Sequence, residues 1–174
     1  MQIIVKRMLL FLMTTAFVNL ALAVPAQEDV STDFSGSWKL NPEESDSMPG
    51  RGRRGGGESN QSLEMTMVIS QEDNVLNILR EGGPQGGQME MVLAPGEGPQ
   101  EVSTPGGAAI VEAWWEGREL VVEQSQERQT PRGNMTIEQQ QTWSLSEDGN
   151  TLIQRVKVKT PRGDFDMNLV FDRR

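Results

Sequence analysis

The sequence predicts an all-β domain: an antiparallel up-and-down β-barrel of eight to ten strands, following a cleaved leader. Three observations carry that expectation. Apolar and polar residues alternate in run after run, as in Leu63, Met65, Met67 and Ile69, and period two is the mark of a strand with one buried face. Turn-forming residues separate the runs at short intervals, as in a meander. No long stretch repeats with helical period.

The runs follow in order. Phe34–Leu40 is the first strand, and 61–70 is the second. Val75–Arg80 comes after the turn-like tetrad Gln71-Glu72-Asp73-Asn74. Gln88–Leu93 places Met89, Met91 and Leu93 on one face. Ala108–Trp115 and Arg118–Arg128 flank a tight turn at Glu116-Gly117. Asn134–Leu145 and Thr151–Lys159 flank Ser146-Glu147-Asp148-Gly149-Asn150. Asp164–Phe171 puts Phe165, Met167, Leu169 and Phe171 on one face. Thr130-Pro131-Arg132-Gly133 recurs as Thr160-Pro161-Arg162-Gly163, with proline setting φ and glycine taking positive φ, as in a type I turn with a bulge.

That makes nine strands, an odd number, and a closed up-and-down barrel needs an even one. Either the seam stays open or a short tenth strand lies near Glu101–Thr104. A tenth strand sorts the turns by charge. Arg51–Arg54 and both Thr-Pro-Arg-Gly turns fall at one end, and Glu72, Asp73, Glu97, Glu116, Glu147 and Asp148 at the other.

Residues 1–23 read as a signal peptide. Lys6 and Arg7 precede a mostly apolar run, Met8 to Ala23, that ends in a small-x-small site, with cleavage after Ala23 or Ala26. The run is shorter than the ~20 residues of a spanning helix, so no membrane span is expected in the mature protein. Residues 24–33 read as a flexible lead-in and 34–174 as the barrel, with a long loop at 41–60 containing Arg51-Gly52-Arg53-Arg54. The expected location is periplasmic or secreted, in a bacterium.

The chain carries a net charge of −9, and loss of Lys6 and Arg7 with the leader takes it to −11 (−9 less 2). Such acidity argues against a nucleic-acid partner. Cysteine is absent, so the barrel must hold by packing without disulfides.

The opening Phe34-x-Gly36-x-Trp38-Lys39-Leu40-Asn41 resembles the first strand of the calycin superfamily, which holds lipocalins, fatty-acid-binding proteins and avidins. Trp143-x-Leu145-Ser146-x-Asp148-Gly149-x-Thr151-Leu152 and Val170-Phe171-Asp172-Arg173 are similar to exported bacterial lipocalin-like domains of mostly unassigned function. The lipocalin Thr-Asp-Tyr motif is missing, and the chain has no tyrosine, which favours a lipocalin-like cousin. The resemblance implies a structural plug of Gly36, Trp38 and Arg173, with Arg173 or Arg174 stacked on the indole. It also implies a ligand site at the opposite mouth.

With no Cys, His or Tyr, serine–histidine and cysteine–histidine pairs and the usual zinc sites cannot form. The expectation is a non-enzymatic protein without a cofactor. Met65, Met67, Met89 and Met91 are expected to line the core or a pocket; the competing reading is a thioether site for Cu(I). Alternation puts Gln124, Gln126 and Arg128, then Gln139 and Gln141, then Gln154, on inner faces. Either they line a wet cavity or, as is favoured, the strand ends overhang the rim and turn them to solvent. One of Trp114 and Trp115 faces in and the other out. The leading function is binding of a small, partly apolar ligand, with an anionic head group favoured by the arginine-rich loop, by Met65, Met67, Met89, Met91, Gln124, Gln139, Gln141, Arg51, Arg53 and Arg54. The alternative is a protein-interaction module with a filled barrel.

Overall fold

The computed structural model describes residues 31–47, 64–83, 87–104, 106–130, 133–161 and 163–174. The leader, Arg51, Arg53, Arg54, Arg132 and Arg162 lie outside the described residues.

Ten antiparallel strands form one sheet. They are β1 (Gly36–Leu40), β2 (Met65–Glu72), β3 (Val75–Gly82), β4 (Gln88–Leu93), β5 (Gln100–Thr104), β6 (Gly107–Glu116), β7 (Glu119–Thr130), β8 (Gly133–Leu145), β9 (Thr151–Lys159) and β10 (Phe165–Arg173). Their order across the sheet is β4-β3-β2-β1-β10-β9-β8-β7-β6-β5. The two answers to the odd strand count hold together. A tenth strand exists at β5, and β4 and β5 remain the outer strands of the sheet, with no ladder between them.

The inner face follows the alternation. Trp38, Met67, Ile69, Leu76, Ile78, Leu93, Val111, Leu120, Val122, Trp143, Leu152 and Phe171 form one buried cluster. Apolar area removed from water stabilises by about 25 cal/mol per Å², and in a chain without cysteine this cluster carries the fold. Val170 points outward yet is buried at 8% exposure. The start of the long loop covers it: Asn41 N donates to Val170 O at 2.8 Å, Val170 N to Ser45 Oγ at 2.9 Å, and Asp46 N to Asn168 O at 2.8 Å. Residues 41–46 are therefore an ordered strap along β10, although the sequence places them in the long loop.

The strands run alternately between two ends. One end holds Phe34, the 73–74 turn, Gly117, the 146–150 turn and Arg173. The other receives the strand ends that flank 48–63, 131–132 and 160–164. Thr32 and Asp33, read as part of a flexible lead-in, are held across the first end. Thr32 Oγ1 donates to Arg118 O at 2.6 Å, and Gln71 Nε2 to Thr32 O at 3.1 Å. Gln71 Oε1 accepts from Phe34 N at 3.0 Å. Phe34 is fully buried, stacked on Trp115 with ring centroids 5.9 Å apart and edge-on to Trp143 at 6.1 Å. Such aromatic contacts add about 0.5–1.5 kcal/mol beyond area burial.

Candidate functional site

At the first end an arginine side chain caps the buried indole. Arg173 lies over Trp38, its Cζ 4.3 Å from the ring centroid. Nη1 of Arg173 donates to Ser35 O at 2.8 Å and its Nε to Gly149 O at 2.9 Å. Trp38 Nε1 donates to Phe34 O at 3.0 Å, so the buried indole is satisfied. Gly36 has φ +145°, and a Cβ there would lie 2.5 Å from Arg173 Nη1. Any other residue would be strained at this φ and would push the guanidinium aside.

The other half of the lumen is different. Met89, Val102, Met135, Ile137, Phe165 and Met167 alternate in phase with the core, yet all are only half-buried. Val102, Ile137, Phe165 and Met167 pack against the core cluster and keep partial exposure, so this half is less tightly enclosed than the first. Barrel interiors with space are where small ligands sit. Gly82, at this end of β3, has φ +83°, and a Cβ there would run into the backbone carbonyl of Glu64, so the glycine lets β2 and β3 converge at the rim.

Between the packed and open halves sits Arg80. The register aligns Trp38 with Met67, Met67 with Arg80, and Arg80 with Met89. Alternation with Leu76 and Ile78 turns Arg80 inward, where it is half-buried. Its Nη2 lies 3.4 Å from Gln154 Oε1, across the lumen on β9, at the long limit of a hydrogen bond. The same Nη2 is 3.9 Å from Met67 Sδ. Its Nε is buried without a partner. Burial lowers its pKa from the ordinary arginine value, but a guanidinium stays protonated.

No Asp or Glu takes an inward position on any of the ten strands among the described residues. Arg80 and Arg128 do. Arg128 Nε donates to Gln126 Oε1 at 3.3 Å. In an acidic chain the carboxylates stand outside and the lumen is cationic, and low-dielectric walls strengthen that field.

The glutamines turn inward too. Gln126, Gln141 and Gln154 are buried, which corrects the favoured expectation that strand ends carry them to solvent. Each has a partner from the barrel wall. Trp143 Nε1 donates to Gln141 Oε1 at 2.9 Å, and Gln126 Nε2 donates to Thr104 Oγ1 at 2.7 Å. Gln124 and Gln139 are half-buried and face each other across β7 and β8. Met65, Met67 and Met91 are core residues, and Met89 is half-buried at the open half. Met67 Sδ is approached by Arg80 Nη2 and Gln154 Nε2 at 3.9 Å each; a fixed cation beside the thioether opposes Cu(I) there. Trp115 faces in and donates to Asn74 Oδ1 at 2.7 Å, while Trp114 faces out toward Glu116.

A groove of about 390 Å³ lies elsewhere, on the outer wall of β6 to β9, with Pro99, Ile110, Glu112, Glu123, Lys157 and Lys159 in its lining. Gln124 and Gln139 also border it. Sequence reasoning found the inner methionines and glutamines and missed Arg80 as a site residue. The signal was present in the Leu76, Ile78, Arg80 alternation.

No family model matches the chain, and no curated protein matches it in sequence. Solved structures do match in shape. Zebrafish ileal bile acid-binding protein, complexed with cholic acid, superposes with a TM-score of 0.58 at 14% identity, over 81% of this chain and 98% of that one. A fatty acid-binding protein from Drosophila melanogaster brain gives 0.52 at 14% identity, over 80% and 99%. Secretory abundant heat soluble protein 4 from Ramazzottius varieornatus gives 0.53 at 14% identity, over 82% and 97%. With its ten-strand meander and nearly closed barrel, the chain shares the fold of these bile acid-binding and fatty acid-binding proteins.

Proposed function

We propose that this protein is exported and that its mature barrel binds a small, partly apolar molecule carrying negative charge. The observation that carries the reading is the lumen itself. Half-buried Met, Ile and Phe side chains line its less enclosed half, Arg80 and Arg128 face inward there, and among the described residues no Asp or Glu takes an inward strand position. Apolar walls supply contact area, and an unmatched cation supplies selectivity for an anion. Similarity in fold to barrels described with cholic acid or as fatty acid-binding supports the same reading. Export is supported by the Lys6-Arg7 start, the apolar run to Ala23 and the small-residue cleavage site. A second reading, an interaction module, is favoured by the groove on the outer wall.

Native mass spectrometry of protein purified from its own host separates the two. Ligand binding predicts a retained small mass that organic solvent releases as an apolar acid. A mature protein free of small molecules, recovered with a second polypeptide, would replace this reading with the interaction module.

A further inference from the structure

We infer that the groove on the outer wall of β6 to β9 is where a second copy of this chain docks, about a two-fold axis running parallel to the strands between β7 and β8. The inference stands apart from the ligand-binding reading, because the outer wall and the lumen are opposite faces of the sheet.

The wall is divided by charge. Every charged residue on the outer faces of β6 and β7 is a glutamate, and every one on the outer face of β9 is an arginine or a lysine. The register lays Glu112, Glu123, Gln140 and Lys157 in one row across the four strands. Glu112 and Glu123 are directly opposed, and like charges in that position destabilise a strand pair. Gln140 Nε2 donates to Glu123 Oε1 at 2.9 Å, which leaves Glu112 as the uncompensated member. Among the described residues, neither Glu112 nor Lys157 has an ion-pair or hydrogen-bond partner for its side chain. They cannot satisfy each other within one chain, since three strand spacings put their backbones about 14 Å apart. In the next row Ile110 stands 47% exposed, with Lys159 three strands away.

An acidic flank and a basic flank at one level complement their own image under a two-fold, and a two-fold contact uses the same patch on both partners. The charges also choose the axis. A two-fold across the strands would lay β6 on β6 and β9 on β9, setting glutamate on glutamate and lysine on lysine. A two-fold along the strands lays β6 on the second copy's β9 without changing level. Glu112 then meets Lys157 of the second copy, and Ile110 meets the aliphatic stem of the second copy's Lys159, whose ammonium stays with Glu138 at 3.8 Å. Symmetry makes each contact twice. Single exposed ion pairs contribute little, so the dimer is reversible, and the charge pattern supplies its specificity.

The test is sedimentation velocity of the full mature protein at physiological salt, where repulsion between two acidic copies is screened beyond about 8 Å. The wild type should pass from monomer to dimer as concentration rises. Glu112→Lys and Lys157→Glu should each weaken the dimer about 10-fold or more, because a like-charge contact is then made twice. An equimolar mixture of the two variants should dimerise again, since each supplies the charge the other has reversed. Both residues are exposed, so the urea midpoints of the variants should match that of the wild type and exclude a folding defect. A wild type that stays monomeric from micromolar to millimolar concentration overturns the inference. A dimer indifferent to both reversals places the contact on another face, and reversals that the mixture does not repair break the pairing of Glu112 with Lys157; either result overturns it too.

Discussion

Arg173 and Trp38 are paired directly across β1 and β10, and the guanidinium folds back over the indole with its Cζ 4.3 Å from the ring centroid. Two backbone carbonyls from different parts of the chain, Ser35 O and Gly149 O, hold it there. The contact joins the first strand, the last strand and the 146–150 turn at one point.

Loss of that point should therefore register as global stability. Arg173→Met removes a cation–π contact and two hydrogen bonds, and should cost about 2 kcal/mol. Urea titration followed by tryptophan emission measures it. Gly36→Ala should produce a similar loss by forcing the guanidinium off the ring, because the added methyl would sit 2.5 Å from Nη1. Full stability in both variants would show that the plug is decorative.

Arg80 should behave in the opposite way. In the ligand-free protein it is a cation on an apolar floor, and Arg80→Met removes the desolvation cost while filling similar volume. The variant should gain about 1–3 kcal/mol of stability without ligand. Thermal unfolding of delipidated protein checks this. A site kept at the expense of stability is what binding function predicts, and a strongly destabilised methionine variant would mark Arg80 as structural.

The 146–150 turn gives a pH signature. Asp148 accepts from Ser146 Oγ at 2.6 Å, Asn150 N at 3.1 Å and Asn150 Nδ2 at 3.0 Å. These bonds lower its pKa from 3.8 to about 2, the Ser146 hydroxyl contributing most. Because the folded value is depressed, the turn's contribution is fully present above pH 3.8 and is lost as pH falls toward 2. Since the same turn supplies Gly149 O to Arg173, the NMR signals of the Asn150 amide and the Trp38 indole should shift together in that window. Asp148→Asn should remove the joint shift.

Much of the barrel was legible because alternation reports which face a residue takes. Leu76, Ile78 and Arg80 announce an inward arginine in five residues of sequence. What alternation does not report is height. Arg80 lies on the lumen floor because Trp38, Met67 and Arg80 align across three strands, and that register is set by pairing far along the chain. The glutamines show the same limit. Gln141 and Gln154 are tolerated inside because Trp143 Nε1 and Arg80 Nη2 reach them, and no local pattern reveals those partners. β5 was faint because Val102 is the one apolar residue on its inner face. The Thr32–Phe34 strap has no periodicity at all, and its position is fixed by Gln71 and Arg118 from other parts of the chain.

The missing ladder between β4 and β5 fixes how the chain is threaded through the sheet. Read across the sheet from β5, the strands run β5 to β10 and then β1 to β4, which is the order of translation rotated by four strands. The segment 94–99 is the covalent bridge over the gap, while the first and last strands are neighbours in the middle of the ribbon. A chain with β10 joined to β1 and cut within 94–99 would lay down every strand beside its predecessor, with its new ends at the two margins of the sheet. Synthesis in the natural order instead leaves β1 as a waiting margin until β10 docks on it, while β4 and β5 stay the outer strands of the finished sheet.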